Sequence, residues 1–183
     1  MKATLFLADG FEEIEAITVV DILRRSNIEI EIVSVTCKRE VIGAHRIIVL
    51  SDLLFEQADF TDVDMMILPG GQPGTKNLSE HINLKALLAQ FSSQKKWIAA
   101  ICAAPTILGN LGLLAGISAV CYPGCEKQLI GAIIDPKGST VVDGNIITSR
   151  GPGTAAQFAL KIVEVLEHLD VAHSVQEEMI ISL

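Results

Sequence analysis

The chain has 183 residues, half of them hydrophobic, 20% charged and only 4% aromatic, which excludes disordered, collagen-like and coiled-coil classes. Lys and Arg total 14 against 22 Asp and Glu, a formal charge of -8, so the average surface repels phosphate backbones and anionic headgroups and neither nucleic acid nor a membrane is an expected partner. A core of this size buries about 70% of the unfolded surface, so one domain over 1–183 is expected to fold without disulfides or a structural metal.

Lys2 to Ala8 is an apolar run stopped at Asp9-Gly10, the pattern of a strand buried on both faces. From Glu12 to Ser26, Ile14, Ile17, Val20, Asp21, Ile22 and Arg24 fall at helical spacing, closed by Ser26-Asn27. Ile28 to Thr36 alternates apolar residues with Glu29 and Glu31 and is expected as a strand with one more polar face, and Val41 to Leu50 as a pair of hairpin strands. Met65 to Leu68 predicts another buried strand running into Pro69-Gly70-Gly71, and Leu78 to Phe91 one amphipathic helix after it.

No charge interrupts Trp97 to Cys125, a stretch long enough to cross a bilayer, but Pro105, Gly109, Asn110, Gly112 and Gly116 punctuate it. A strand over 97–101 and a helix over 103–114, with Pro105 in its first turn, account for it instead. Residues 141–147 predict a hairpin turning at Asp143-Gly144, and a helix is expected from Thr154 to Leu169. Strands alternating with helices imply an α/β fold: a mostly parallel sheet with helices on both faces.

Ligands gather beyond the carboxyl ends of such strands, which directs attention to 9–15, 68–71 and 99–105. In the last of these, a strand enters a helix through Cys102, with Ala100 and Ala104 two residues to either side. That is the small-residue spacing of a nucleophile elbow with a thiol in place of a hydroxyl. A helix N-terminus there is expected to favour the thiolate. Cysteines in apolar runs are more often core filling, and only the elbow sets Cys102 apart. Cys37, beside Lys38-Arg39, is assigned a structural role, and Cys121 and Cys125, spaced C-x-x-x-C with no second pair, point to no metal site. Reduced thiols, and acids that follow the short apolar start MKATLFLA where a signal peptide would continue, suit a cytoplasmic protein.

Glu12 and Glu15 share one side of the first helix and Glu13 is turned away, so Glu12 and Glu13 are explained as complements of the helix dipole while Glu15 can face Cys102. Gly70 and Gly71 let backbone N–H groups approach a ligand. Ser149-Arg150-Gly151-Pro152-Gly153 is superficially like a phosphate loop but lacks its Lys and spacing.

Together, DGFEEIEA, LPGG, AAICAAP and TSRGPGT resemble the ThiJ/PfpI superfamily, in the branch of Parkinson disease protein 7 and its YajL-like bacterial relatives. The resemblance implies a flavodoxin-like arrangement, a reactive Cys102, a protonated Glu15 hydrogen-bonded to it, and backbone N–H groups from Gly71 and Ala103. It also implies arginines at Arg25 and Arg46 in a homodimeric neighbourhood of the site. Tyr122-Pro123 stands where human-type members have His-Pro, which argues against a histidine base. His45, His81, His168 and His173 fall in no family motif and are assigned exposed or structural roles. Ala103, where protease-like members carry His, disfavours a cysteine-protease-like hydrolase, and the His-x-Glu pair of class I amidotransferases has no equivalent around 148–157.

The function implied is a cofactor-independent, metal-free glyoxalase or deglycase acting on methylglyoxal, glyoxal or their early adducts with thiols and amines, through Cys102 and Glu15. The alternative is a redox-responsive chaperone or oxidative-stress sensor in which Cys102 becomes a sulfinate. The two share one requirement, an accessible low-pKa thiol.

Overall fold

The computed structural model describes residues 1–182. In chain order its elements are β1 (Lys2–Leu7), α1 (Glu13–Arg25), β2 (Glu29–Ser34), β3 (Glu40–Ile42), β4 (Ile48–Leu50), β5 (Leu53–Leu54), β6 (Met65–Leu68), α2 (Gly74–Glu80), α3 (Ile82–Ser93), β7 (Trp97–Ile101) and α4 (Pro105–Asn110). They continue with β8 (Ser118–Ala119), β9 (Ile133–Ile134), β10 (Thr140–Asp143), β11 (Ile146–Ser149), α5 (Ala155–Leu166) and α6 (Leu169–Glu178).

Seven strands form one sheet in the order β10-β11-β7-β6-β1-β2-β5, parallel except for the edge pair β10 and β11. Alternation along β1 divides the core. Ala3, Leu5 and Leu7 face the layer of α1, α5 and α6, while Phe6 joins Leu78, Leu84, Phe91 and Leu108 on the opposite face. The chain runs from β1 to β2 on one side and then to β6 on the other, so the strand order reverses at β1. The crevice at that reversal, beyond the carboxyl ends of β1, β6 and β7, is where open α/β sheets place their sites.

The expected single helix over 78–91 is two helices. His81 adopts an extended conformation between them, and its Nδ1 accepts the Leu84 N–H at 3.1 Å, capping α3. The helix expected over 103–114 is confined to 105–110, because Gly112 takes φ +73° and closes it: Gly112 N–H bonds to the Gly109 carbonyl and Leu113 N–H to that of Leu108. The helix expected to reach Leu169 stops at Leu166, and α6, which no sequence signal singled out, folds back onto α5 and supplies Ala172 and Val175 to the core. The apolar run 97–125 is broken as expected, and no helix among the described residues is long and apolar enough to cross a membrane.

Candidate active site

Three loops converge at the crevice. The loop after β1 and the loop after β6 interlock, with Glu12 N–H on the Gly70 carbonyl at 2.9 Å and Gly74 N–H on the Gly10 carbonyl at 3.1 Å. Gly71 sits in this lock at φ +90°, where a Cβ would lie 2.4 Å from the Glu12 nitrogen; only glycine satisfies both demands. The lock starts α1 so that Glu15, in its first turn, points down onto the carboxyl edge of the sheet.

The third loop is the elbow. Cys102 has φ +64°, an unusual conformation for a non-glycine residue, and is held there by its N–H on the Ser149 carbonyl (2.9 Å) and its carbonyl accepting the Tyr122 N–H (2.8 Å). Ala100 and Ala104 are fully buried against the turn, as the small-flank reading requires.

Cys102 and Glu15 meet over Gly70. A Cβ on Gly70 would lie 2.6 Å from Cys102 Cβ, 2.8 Å from Glu15 Oε2 and 3.0 Å from Cys102 Sγ, so the contact exists only because residue 70 lacks one. Gly70→Ala is expected to lose about 1–3 kcal/mol of stability and to push the sulfur off the carboxylate, measured by urea denaturation and by the alkylation rate of Cys102.

Glu15 is fully buried. Its Oε2 accepts the Gly70 N–H at 2.7 Å, and its Oε1 has no hydrogen-bond partner among the described residues. Burial pushes its pKa up to about 7, against the opposing effects of the Gly70 N–H and the thiol. The thiol is 8% exposed, and burial followed by the adjacent Glu15 carboxylate pushes it up to about 12, while the Gly71 and Ala103 N–H groups directed at the sulfur pull it down. Neither of these N–H groups has a backbone acceptor among the described residues.

The expectation of a thiolate favoured by a helix N-terminus is therefore corrected. The helix starts three residues later, at Pro105, and is only six residues long, while the sulfur is buried beside an acid. Protonation of Glu15 removes the thiol's anionic neighbour and supplies a hydrogen-bond donor beside it, which lowers the cost of ionising the sulfur.

Glu13 is also more than a dipole complement. It is buried, and its carboxylate accepts His45 N–H at 2.7 Å and Ile47 N–H at 3.4 Å and lies 2.9 Å from His45 Nδ1, tying the β3–β4 hairpin to α1. His45 thus has the satisfied structural role assigned to it. Sequence carried no signal for this tie, because it spans 32 residues. The group formed by Glu12, Glu13 and His45 has donor atoms close enough together to hold a metal ion, but the Glu13 oxygens are already engaged by the hairpin.

Arg46, in the hairpin turn at φ +67°, is exposed and follows His45, which is tied to the first turn of α1. Arg25 is at the opposite end of α1, paired with Asp21 (2.8 Å) and Glu178 (3.1 Å), so within one chain it does not reach Cys102. Tyr122 is brought next to Cys102 by its backbone, with its ring half exposed. Cys121 is buried, and burial pushes its thiol up to about 12; Cys37 is exposed.

The family described as DJ-1/PfpI matches residues 1–165. The chain belongs to the DJ-1/PfpI family. It is 37% identical over 183 residues to the Parkinson disease protein 7 homolog of Danio rerio, covering 98% of this chain and 97% of that one. It is 33% identical over 171 residues to a deglycase of Pyrococcus abyssi, covering 91% and 100%. Among solved structures, oxidized DJ-1 of Toxoplasma gondii superposes with a TM-score of 0.95 at 34% identity, covering 100% of this chain and 99% of the other. The family's flavodoxin-like architecture is the one described above.

Proposed function

We propose that this protein is a glyoxalase or deglycase that acts on small α-oxoaldehydes or their early thiol and amine adducts without a cofactor. The observation carrying this reading is the packing of the Cys102 sulfur against a fully buried Glu15 with a pKa of about 7, beneath two backbone N–H groups directed at the sulfur. The deglycase of P. abyssi among its relatives supports the same reading.

On methylglyoxal the sulfur adds to the aldehyde carbon while Glu15 takes the thiol proton and returns it to the new oxyanion, which the Gly71 and Ala103 N–H groups stabilise. Glu15 then removes the proton from that carbon and a proton is returned to the neighbouring one. The former aldehyde is thereby raised to the oxidation level of an acid as the ketone becomes an alcohol, with no net electron transfer out of the substrate. Water cleaves the resulting lactoyl thioester, releasing lactate and the thiol. A base with a pKa near the working pH suits both halves of this shuttle.

The test is lactate formation from methylglyoxal by the purified protein. Enzymatic turnover that is lost in Cys102→Ser supports the reading, and turnover equal in both overturns it.

A second reading is favoured by the same N–H groups and by the oxidized state of the T. gondii relative. Two equivalents of peroxide, each releasing one water, convert the thiolate to a sulfinate, and protonated Glu15 donates a hydrogen bond to the new oxygen. Intact mass after mild peroxide should show two added oxygen atoms at Cys102 and a slower gain in Glu15→Gln.

The reading includes a homodimer. Ile14 and Ile17 on α1 and Ile47, Ile48 and Leu50 on the hairpin are exposed, Ile48 by 64%, on two elements that Glu13 and His45 tie together. A second copy is the occupant that would cover this apolar face beside the site. Sedimentation should give a dimer for the wild type and a monomer for Ile17→Glu/Ile48→Glu; an unchanged mass in the variant contradicts the assignment.

A further inference from the structure

Beside the elbow lies a depression of about 380 Å³ whose wall includes Tyr122, Lys137, Ser139, Arg150 and the turn that follows Arg150. Two backbone hydrogen bonds fix its place relative to the sulfur. Tyr122 N–H bonds to the Cys102 carbonyl, and Cys102 N–H bonds to the carbonyl of Ser149, the residue before Arg150. The turn closes on the tyrosine, because a Cβ on Gly151 would lie 3.3 Å from the Tyr122 ring.

The wall is cationic in a chain whose net charge is -8. Among the described residues neither Lys137 nor Arg150 forms a salt bridge. The acids nearby are turned to backbone donors: Glu126 accepts the Gly124 N–H at 2.9 Å, and Asp135 accepts the N–H groups of Lys137 and Gly138 at 2.9 and 3.0 Å. Neither carboxylate lines the depression, though both line with Arg150 a neighbouring hollow of about 260 Å³. The loop 149–153, which lacked a lysine in sequence, has one supplied across the depression by residue 137. Two cations, neither in a salt bridge and one of them, Arg150, half buried, are stabilised by a bound anion.

We propose that this depression is a subsite for a carboxylate carried by the substrate, with Arg150 and Lys137 as its binding groups, and that Cys102 acts preferentially on acidic oxoaldehyde adducts such as those of carboxylate-bearing thiols. The substrate half of this statement rests on the aldehyde chemistry proposed above; the subsite itself does not.

The subsite is tested without turnover by the rates at which iodoacetate and iodoacetamide alkylate Cys102, followed by peptide mass. The same thiolate displaces iodide from both reagents, so their ratio cancels the thiolate fraction and reports the local field. The iodoacetate-to-iodoacetamide ratio should exceed that of free cysteine and fall on the order of tenfold in Lys137→Gln/Arg150→Gln, the low end of what a focused field of one sign achieves. Lys137→Glu, at an exposed loop position, should lower it in the same direction without disturbing the fold. A ratio unchanged in both variants overturns the subsite.

The substrate half is tested by kcat/KM for the hemithioacetals of methylglyoxal with N-acetylcysteine, which is acidic, and with 2-mercaptoethanol, which is neutral. Preference for the acidic adduct, lost in the double variant mainly through KM, supports it. Equal turnover of the two adducts overturns it. Absence of turnover with either contradicts the aldehyde chemistry, while the alkylation ratio still decides the subsite.

Discussion

Glu15→Gln is expected to be more stable than the wild type above pH 7 and nearly as stable below pH 5, while losing about 10³-fold in the rate of lactate formation. The sign follows from linkage. Between the ordinary carboxyl value of 4.5 and the folded value of about 7, the native protein holds a proton at this position that the unfolded chain has released. Stability therefore falls as pH rises through that window. Above pH 7 the charge is buried with one oxygen unpartnered, a cost on the order of 3 kcal/mol, which glutamine avoids while its amide oxygen still accepts the Gly70 N–H. Urea denaturation of both proteins at pH 5 and pH 8.5 measures the difference. Equal differences at the two pH values would show that Glu15 titrates in the ordinary range.

Cys102→Ser is expected to lower kcat/KM for methylglyoxal by about 10⁴-fold or more, the scale seen when a covalent nucleophile is removed, with the fold retained. The hydroxyl is smaller and far less acidic than the thiol, and Glu15, matched to a sulfur, cannot ionise it. Loss of activity with an unchanged urea midpoint separates chemistry from folding. Crossing the two substitutions should give a double variant scarcely slower than Cys102→Ser alone, since the two groups act as one unit.

The centre of the parallel sheet was legible because β1, β6 and β7 are continuous apolar runs, as Lys2 to Ala8 runs to its stop at Asp9-Gly10. The elbow was legible for a different reason: alanines two residues before and after Cys102 are a steric requirement of the turn itself, and the turn is local. Glu15 could be singled out from Glu13 by helical geometry, since three residues of spacing decide which side chain faces the sheet.

Tertiary contacts hid the rest. The break at His81 depends on a side chain capping the following helix, and the residues on either side of it read as one amphipathic pattern. Glu13 looked like a dipole complement because its partners lie on a hairpin more than 30 residues away. The thiol's elevated pKa could not be read from chain position, because burial and a neighbour 87 residues earlier in the chain, Glu15, outweigh the backbone N–H groups. Lys137 drew no attention in sequence because it sits apart from every motif, and only the fold sets it opposite Arg150.

The dependence of kcat/KM on pH, measured from pH 5 to 9 with methylglyoxal, tests Glu15 as the base beside Cys102 most directly. A rising limb with its midpoint at about 7, absent from the residual activity of Glu15→Gln, is the result this site requires. A profile flat across that range, or a limb that survives in Glu15→Gln, would contradict it.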